Sequence, residues 1–154
     1  MNNSPIVRKA KKTDTDTLIQ FNIAMALETE QKYLEEDKIR AGVKSLFKKP
    51  EYGFYLVAEM DGQIAGSLMI TKEWSDWRNG LFWWIQSVYV LPVYRRKGVY
   101  RSMYRKIHDM AKNRPGVCGF RLYVEKENKS AQATYSNLGM SETNYKMYEE
   151  LFEE

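Results

Sequence analysis

The run Arg95-Arg96-Lys97-Gly98-Val99-Tyr100 places three cations and a glycine directly ahead of an amphipathic stretch. Val99, Met103, Ile107 and Met110 recur at spacings of four and three, which predicts a helix opening at this turn. A helix start carries unpaired backbone N–H groups and a partial positive charge, so it attracts phosphate. Gly98 lets an anion approach the backbone closely. Arg95, Arg96, Lys97 and Arg101 add full charges of the kind a diphosphate exploits. The plainer reading is a basic loop in which Gly98 only makes a turn. A dinucleotide fingerprint or P-loop is disfavoured, because neither G-x-G-x-x-G nor G-K-[ST] occurs.

These residues need elements to hold them. Ile6 to Lys9 reads as a short strand. Thr13 or Asp14 can cap a helix carrying Leu18, Ile19, Phe21, Asn22 and Met25, and a second helix is expected from Asp37 to Phe47, stopped by Lys48-Lys49-Pro50. From Phe54 the pattern turns to strands. Phe54 to Glu59 and Ile64 to Ile70 flank Asp61-Gly62, a tight-turn dipeptide, and so read as a hairpin. Trp74 to Gly80 is expected to be an aromatic loop, and Phe82 to Val90 a long strand ended by Leu91-Pro92. After the helix from Val99, the residues Cys118, Phe120, Leu122 and Val124 alternate as in a half-buried strand. Asn128 to Leu138 reads as a short helix with Gly139 at its C-cap, and Ser141 to Phe152 as one or two terminal strands. The strand-helix-strand unit from Phe82 to Val124 implies a parallel crossover.

Composition narrows the class. The 154 residues are 44% hydrophobic and 14% aromatic, enough for a core and unlike a disordered chain. One domain spanning residues 1–154 is expected. The net charge of +4 is dispersed, which disfavours nucleic acid as a partner. One cysteine, Cys118, and one histidine, His108, support neither a disulfide nor a zinc site, so no metal is expected. Cys118 is expected in the core, by its alternation with Phe120, and His108 in solvent. Met1-Asn2-Asn3-Ser4-Pro5 has no apolar leader core, and no run approaches the roughly 20 apolar residues of a membrane span. A cytoplasmic protein with no membrane partner is the expectation.

Two motifs in order carry a resemblance. Arg95-Arg96-Lys97-Gly98-Val99-Tyr100 resembles the [Q/R]-x-x-G-x-[G/A] turn of the GNAT family of N-acetyltransferases, with Tyr100 where a small residue is usual. Asn128-x-x-Ala131-x-x-x-Tyr135-x-x-x-Gly139-Met140 is similar to that family's Asn-x-x-Ala-x-x-x-Tyr-x-x-x-Gly-Phe helix. Spacings of three and four put Asn128, Ala131 and Tyr135 on one helix face. The resemblance spans roughly residues 6 to 148.

What the resemblance implies is specific. The fold would be mixed α/β, with a mostly antiparallel central sheet, helices on both faces, and a splay between strands four and five. The ligand would be acetyl-CoA as co-substrate. Its pyrophosphate would lie on Arg95 to Tyr100 with Arg101, Asn128 and Ala131 nearby, and its pantetheine arm on the backbone of Val88, Tyr89 and Val90. The N–H of Val88 or a neighbour would polarise the carbonyl, and Tyr135 would protonate the leaving thiolate. The partner would be an amine-bearing acceptor, small molecule or peptide, and a homodimer is an open expectation. A non-catalytic acyl-CoA-binding or sensor module is the alternative from another class.

The general base stays open among Glu28, Glu30, Glu73 and Asp76, each also readable as an exposed carboxylate. Gln86 has no basic group, though it can orient a water. Trp74, Trp77, Asp76 and Glu28 form the expected acceptor pocket, an aromatic wall beside carboxylates that suits a cationic amine. Packing, in the core or at a dimer interface, is the competing use of these tryptophans, and it is preferred for Trp83 and Trp84, which must face opposite sides of the sheet.

Overall fold

A computed structural model describes residues 4–152. The expectation about a leader rests partly on Met1, Asn2 and Asn3; these, with Glu153 and Glu154, lie outside the described residues. Two compact units divide the chain, one ending at Tyr123 and the other beginning at Val124. Among the described residues no helix is long and apolar enough to cross a membrane.

The first unit contains β1 (Ile6–Lys9), α1 (Thr15–Glu30), α2 (Glu36–Lys48), β2 (Gly53–Met60), β3 (Gln63–Ser75), β4 (Gly80–Val90), α3 (Val99–Lys112) and β5 (Val117–Arg121). The second contains α4 (Lys129–Asn137). The strands form one sheet in the order β1-β2-β3-β4-β5. The first four are antiparallel neighbours, and β5 joins β4 in parallel. A parallel partner needs a long crossover, which α3 supplies.

Pleating sends alternate residues of each strand to opposite faces. Tyr55 and Val57 of β2 pack with Leu18, Ile19 and Val43 beneath α1 and α2. On the other face Trp83 meets Phe54 and Phe120, and Phe120 meets Tyr104 of α3. Helices therefore cover both faces. Trp83 is fully buried and Trp84 half-buried, as two adjacent strand residues require.

Where the ladder continues, it overrides local composition. Trp74 and Ser75 do not belong to a loop: they pair with Leu81 and Gly80, and only Asp76 to Asn79 make the turn. The capping expectation is met in part. Asp14 precedes α1, but its carboxylate binds Arg8 (2.8 Å) and the Lys11 N–H (2.7 Å) rather than the helix. Asp14 is buried.

Three expectations need correction at the C-terminal side. β5 stops at Arg121, and Leu122 to Val124 lie outside it. Cys118 is exposed, not core. It is the extra residue of β5 where Leu81↔Val117 is followed by Phe82↔Gly119, so it has no β4 partner, whereas Phe120 pairs with Trp83 and reaches the rings of Tyr104 and His108. Residues 141–152 form no strand, and Tyr145, Tyr148, Leu151 and Phe152 are exposed. Alternation alone does not make a strand, because a strand needs a neighbouring ladder to satisfy its backbone.

The second unit keeps the expected helix. Asn128 caps α4, its Oδ1 accepting from the Ala131 N–H at 3.1 Å. Gly139 (φ +102°) ends it, with the Met140 N–H donating to the Tyr135 carbonyl at 3.1 Å.

Candidate functional site

The basic turn stands where the sequence puts it, between β4 and α3. Arg96 (φ +62°) and Gly98 (φ +80°) both take the left-handed conformation, and Val99 begins the helix. Gly98 suits that geometry because it has no Cβ penalty. Gly98, at the N-cap of α3, has no side chain to cap the helix, and nothing lies within 4 Å of where its Cβ would stand, so the helix start is open to an anion. The helix start is held tightly to the sheet. A Cβ on Gly66 of β3 would stand 3.0 Å from Val99 Cγ1 and 2.9 Å from the Tyr89 carbonyl oxygen. Tyr94, buried just before the turn, accepts from Gln63 Nε2 (2.7 Å) and donates to Asp61 Oδ2 (3.4 Å).

The cations of the turn divide their work. Arg96, Lys97 and Arg101 are exposed, with Lys97 Nζ over the Tyr94 ring at 5.6 Å. Arg95 turns back toward the fold. Its Nε donates to the Val90 carbonyl at 2.9 Å and its Nη2 to Glu28 Oε2 at 2.7 Å, with the guanidinium over Tyr89. Tyr100 is half-buried, and its ring lies 6.2 Å from that of Tyr104, one turn along α3. That packing is what occupies the position where a small residue is usual.

β4 leaves its β5-facing edge open over part of its length. Its pairing with β5 runs only from Leu81↔Val117 to Trp84↔Arg121. From Ile85 to Val90 the β5-facing edge has no β5 partner, which is the expected splay. In the same stretch one extra residue enters β4, since Met69↔Gln86 is followed by Ser67↔Tyr89. Ser87 (φ +52°) absorbs the bulge. The alternation shifts there, so Gln86 and Tyr89 share a face: the Gln86 amide donates to Thr71 Oγ1 (2.6 Å), and Tyr89 packs 5.1 Å from the Phe21 ring of α1. Val88 and Val90 are half-buried.

The carboxylates separate by environment. Glu28 meets Tyr89 as well as Arg95, accepting from the phenol at 3.4 Å. Burial, then the Glu28 charge, push the Tyr89 phenol above its ordinary range. Glu73 accepts from both Trp84 Nε1 and Arg121 Nη1, which hold its carboxyl below the usual range despite some burial. A carboxylate held that way is a poorer proton acceptor. Glu30 and Asp76 are exposed.

The expected acceptor pocket is not assembled. Tyr89, the β4 residue that donates to Glu28, pairs with Ser67, seven positions from Trp74, or about 23 Å at roughly 3.3 Å per residue. Trp74 also points to the opposite face from Glu73, and Trp74 and Trp77 are 61% and 88% exposed. Glu28 thus stands near the turn, while Trp74, Asp76 and Trp77 stand at the far end of the hairpin. Tyr135 is half-buried on α4, and burial raises its phenol pKa. Asn128 spends its carbonyl oxygen on the helix cap.

Two features escaped the sequence reading. The Glu73–Trp84–Arg121 cluster had one available signal, a lone arginine inside the apolar run Val117 to Val124. The bulge at Ser87 had none, because no glycine or proline marks it.

The profile described as Acetyltransferase (GNAT) family matches residues 18–140. Among solved structures, a possible acetyltransferase from Clostridium difficile 630 is 43% identical, covering 97% of this chain and 99% of that one, with a TM-score of 0.89. Glucosamine-6-phosphate N-acetyltransferase from Arabidopsis thaliana shares the fold at 20% identity (TM-score 0.73, 97% and 99% covered). So does a predicted acetyltransferase with acetyl-CoA from Clostridium acetobutylicum, at 17% identity (TM-score 0.77, 96% of each chain). No curated protein matches the chain. A sheet opened at β4, a basic turn at the start of α3 and these likenesses agree: the chain belongs to the GNAT acetyltransferase family.

Proposed function

We propose that the protein moves acetyl from acetyl-CoA to a primary amine by direct attack in a ternary complex. The observation that carries this reading is the uncapped α3 start together with the edge of β4 directly before it, which β5 leaves unpaired. The turn suits a diphosphate, and the open edge suits an amide-bearing arm that adds to it like a strand. The family match crosses both units, which supports reading residues 1–154 as one acetyltransferase domain.

Arg96, Lys97 and Arg101, with the N–H groups at Gly98, Val99 and Tyr100, hold the pyrophosphate. Backbone groups of Val88, Tyr89 and Val90 hold the pantetheine, and an N–H at Val88 or beside it polarises the thioester carbonyl. Asn128 sets the start of α4, where Ala131 leaves room for the cofactor. The amine attacks the carbonyl carbon, the tetrahedral intermediate collapses with loss of the thiolate, and Tyr135 gives that sulfur its proton. The surplus proton on the attacking nitrogen passes through water to the Tyr135 phenolate, which restores the acid. The ammonium loses its proton to Glu28, directly or through water. Glu28 is preferred over Glu73, which is the weaker base, and over Asp76, which lies at the far end of the hairpin. The acceptor is a small amine or a peptide, and cytoplasmic residence and a homodimer belong to the same reading.

The test is a screen of primary amines with purified protein and acetyl-CoA, following release of free CoA and the acetylated product. Product from at least one amine is expected. Tight acetyl-CoA binding with no product from any amine would favour a sensor instead.

A further inference from the structure

The last residue pair of the β4–β5 ladder, Trp84↔Arg121, has an unusual property. Both side chains donate to the same atom of a third strand. Trp84 Nε1 and Arg121 Nη1 each lie 2.9 Å from Glu73 Oε1 on β3. Arg121 reaches across β4 to do this, its guanidinium 3.8 Å from the centroid of the Phe82 ring, the β4 partner of Glu73. Arg78 also lies over that ring, at 5.1 Å. Trp84 in turn packs on Tyr123, with centroids 6.2 Å apart. Three strands are therefore tied at one carboxylate oxygen, and directly beyond the tie β4 and β5 no longer pair.

We infer that Glu73, Trp84 and Arg121 form a clasp that fixes where β4 and β5 part, and so sets the mouth of the crevice that takes the pantetheine arm. The three are positioning residues. They act through the strands and need not touch the reacting atoms. The placement is economical in physical terms. A parallel pair would otherwise continue to zip, because each further residue satisfies backbone groups. The bulge at Ser87 opposes zipping from one side of the opening, and the clasp limits fraying from the other. An Arg–carboxylate contact has the directionality to hold a register, and a shared indole donor fixes the carboxylate rotamer.

This inference rests on the acetyl-CoA reading above, and its test separates the two. Calorimetry is run with acetyl-CoA and with adenosine 3′-phosphate 5′-diphosphate, which has the charged end but no pantetheine. Arg121→Met keeps an apolar stem over Phe82, and Glu73→Gln keeps an acceptor without the charge. Each is expected to weaken acetyl-CoA binding roughly 5- to 20-fold, because the mouth of the crevice is no longer held at one width. The pantetheine-free fragment should bind within about two-fold of wild type. Arg121→Lys, which can still donate to Glu73, should restore most of the loss. Trp84→Phe leaves the ion pair intact and should give a smaller loss of the same selective kind, including where Arg121→Met folds poorly. Equal weakening of both ligands, or no weakening of either, overturns the clasp. Wild-type protein that binds neither ligand overturns the cofactor reading, and the clasp with it.

Discussion

Arg95 of the basic turn is bonded to Glu28 of α1, Nη2 to Oε2 at 2.7 Å. The first cation of the expected phosphate turn therefore ties that turn to the helix that carries the preferred base. The pair is exposed, 45% and 41% at the side chains, so it contributes at most about 1 kcal/mol to folding. Arg95 and Glu28 variants should nevertheless differ in function. Arg95→Gln is expected to weaken acetyl-CoA binding about 5- to 30-fold, because the turn loses the bonds that hold it to Val90 and Glu28. Glu28→Gln should leave acetyl-CoA affinity within about two-fold while lowering kcat/KM for the amine at least about tenfold, the low end for a general base. Calorimetry and steady-state kinetics on the two variants check the split. Equal loss of acetyl-CoA affinity in both would make Glu28 an anchor of the turn rather than the base.

Gly98 has a second prediction. At φ +80° any L residue is strained, and the first turn of α3 lies open beside it. Gly98→Ala should cost about 1–2 kcal/mol in stability and also weaken acetyl-CoA binding, since a methyl group would stand where the anion approaches. Chemical denaturation and calorimetry report the two effects separately. A variant as stable as wild type would contradict the left-handed turn.

The Arg8–Asp14 pair gives the pH dependence. Arg8 donates to both Asp14 oxygens, at 2.8 and 3.2 Å, and the Asp14 side chain is only 8% exposed. The hydrogen bond from Arg8 holds the Asp14 carboxyl below its ordinary range, against the opposing effect of burial. A folded pKa below the unfolded value of about 3.9 means stability that is fully present above that value. It is lost as pH falls through the folded pKa. Asp14→Asn should therefore cost about 1–3 kcal/mol near neutrality, with the difference from wild type shrinking below about pH 4. Urea denaturation across pH checks the sign. A difference that grew on acidification would show that the pair does not set it.

Core packing gives the largest stability effect. Trp83 is 1% exposed and touches Phe54 and Phe120. Trp83→Ala should cost about 3–5 kcal/mol, whereas Trp77→Ala, at a residue 88% exposed, should stay within about 0.5 kcal/mol. Thermal denaturation of the two variants would distinguish packing from surface display.

Legibility followed the reach of the interactions involved. Helices α1, α2 and α3 announce themselves through apolar spacing, and the Asp61-Gly62 turn marks the β2–β3 hairpin, so both are legible locally. The Asn128 cap and Gly139 terminus of α4 are also local chemistry. Trp74 departs from the loop its neighbours suggest because it pairs with Leu81 across the hairpin, which its immediate neighbours do not signal. Cys118 and residues 141–152 failed for the same reason. Alternation reports what a strand would bury, but not whether a partner lies beside it. The site divided likewise. The basic turn is contiguous in sequence and was read, while the Glu73–Trp84–Arg121 clasp joins three strands and was not. Chemistry alone groups Glu28 with Trp74, Asp76 and Trp77, whereas the strand register puts Glu28 and the other three at opposite ends of the hairpin.

The central claim is acetyl transfer from acetyl-CoA with Tyr135 supplying the thiolate proton. It is tested most directly by single-turnover release of CoA from wild type and Tyr135→Phe at saturating acetyl-CoA, using an amine found active in the screen. The account predicts unchanged acetyl-CoA affinity and a fall in rate of about 10²- to 10⁴-fold, the range for general acid catalysis. A Tyr135→Phe protein that binds acetyl-CoA normally and releases CoA at the wild-type rate would contradict it.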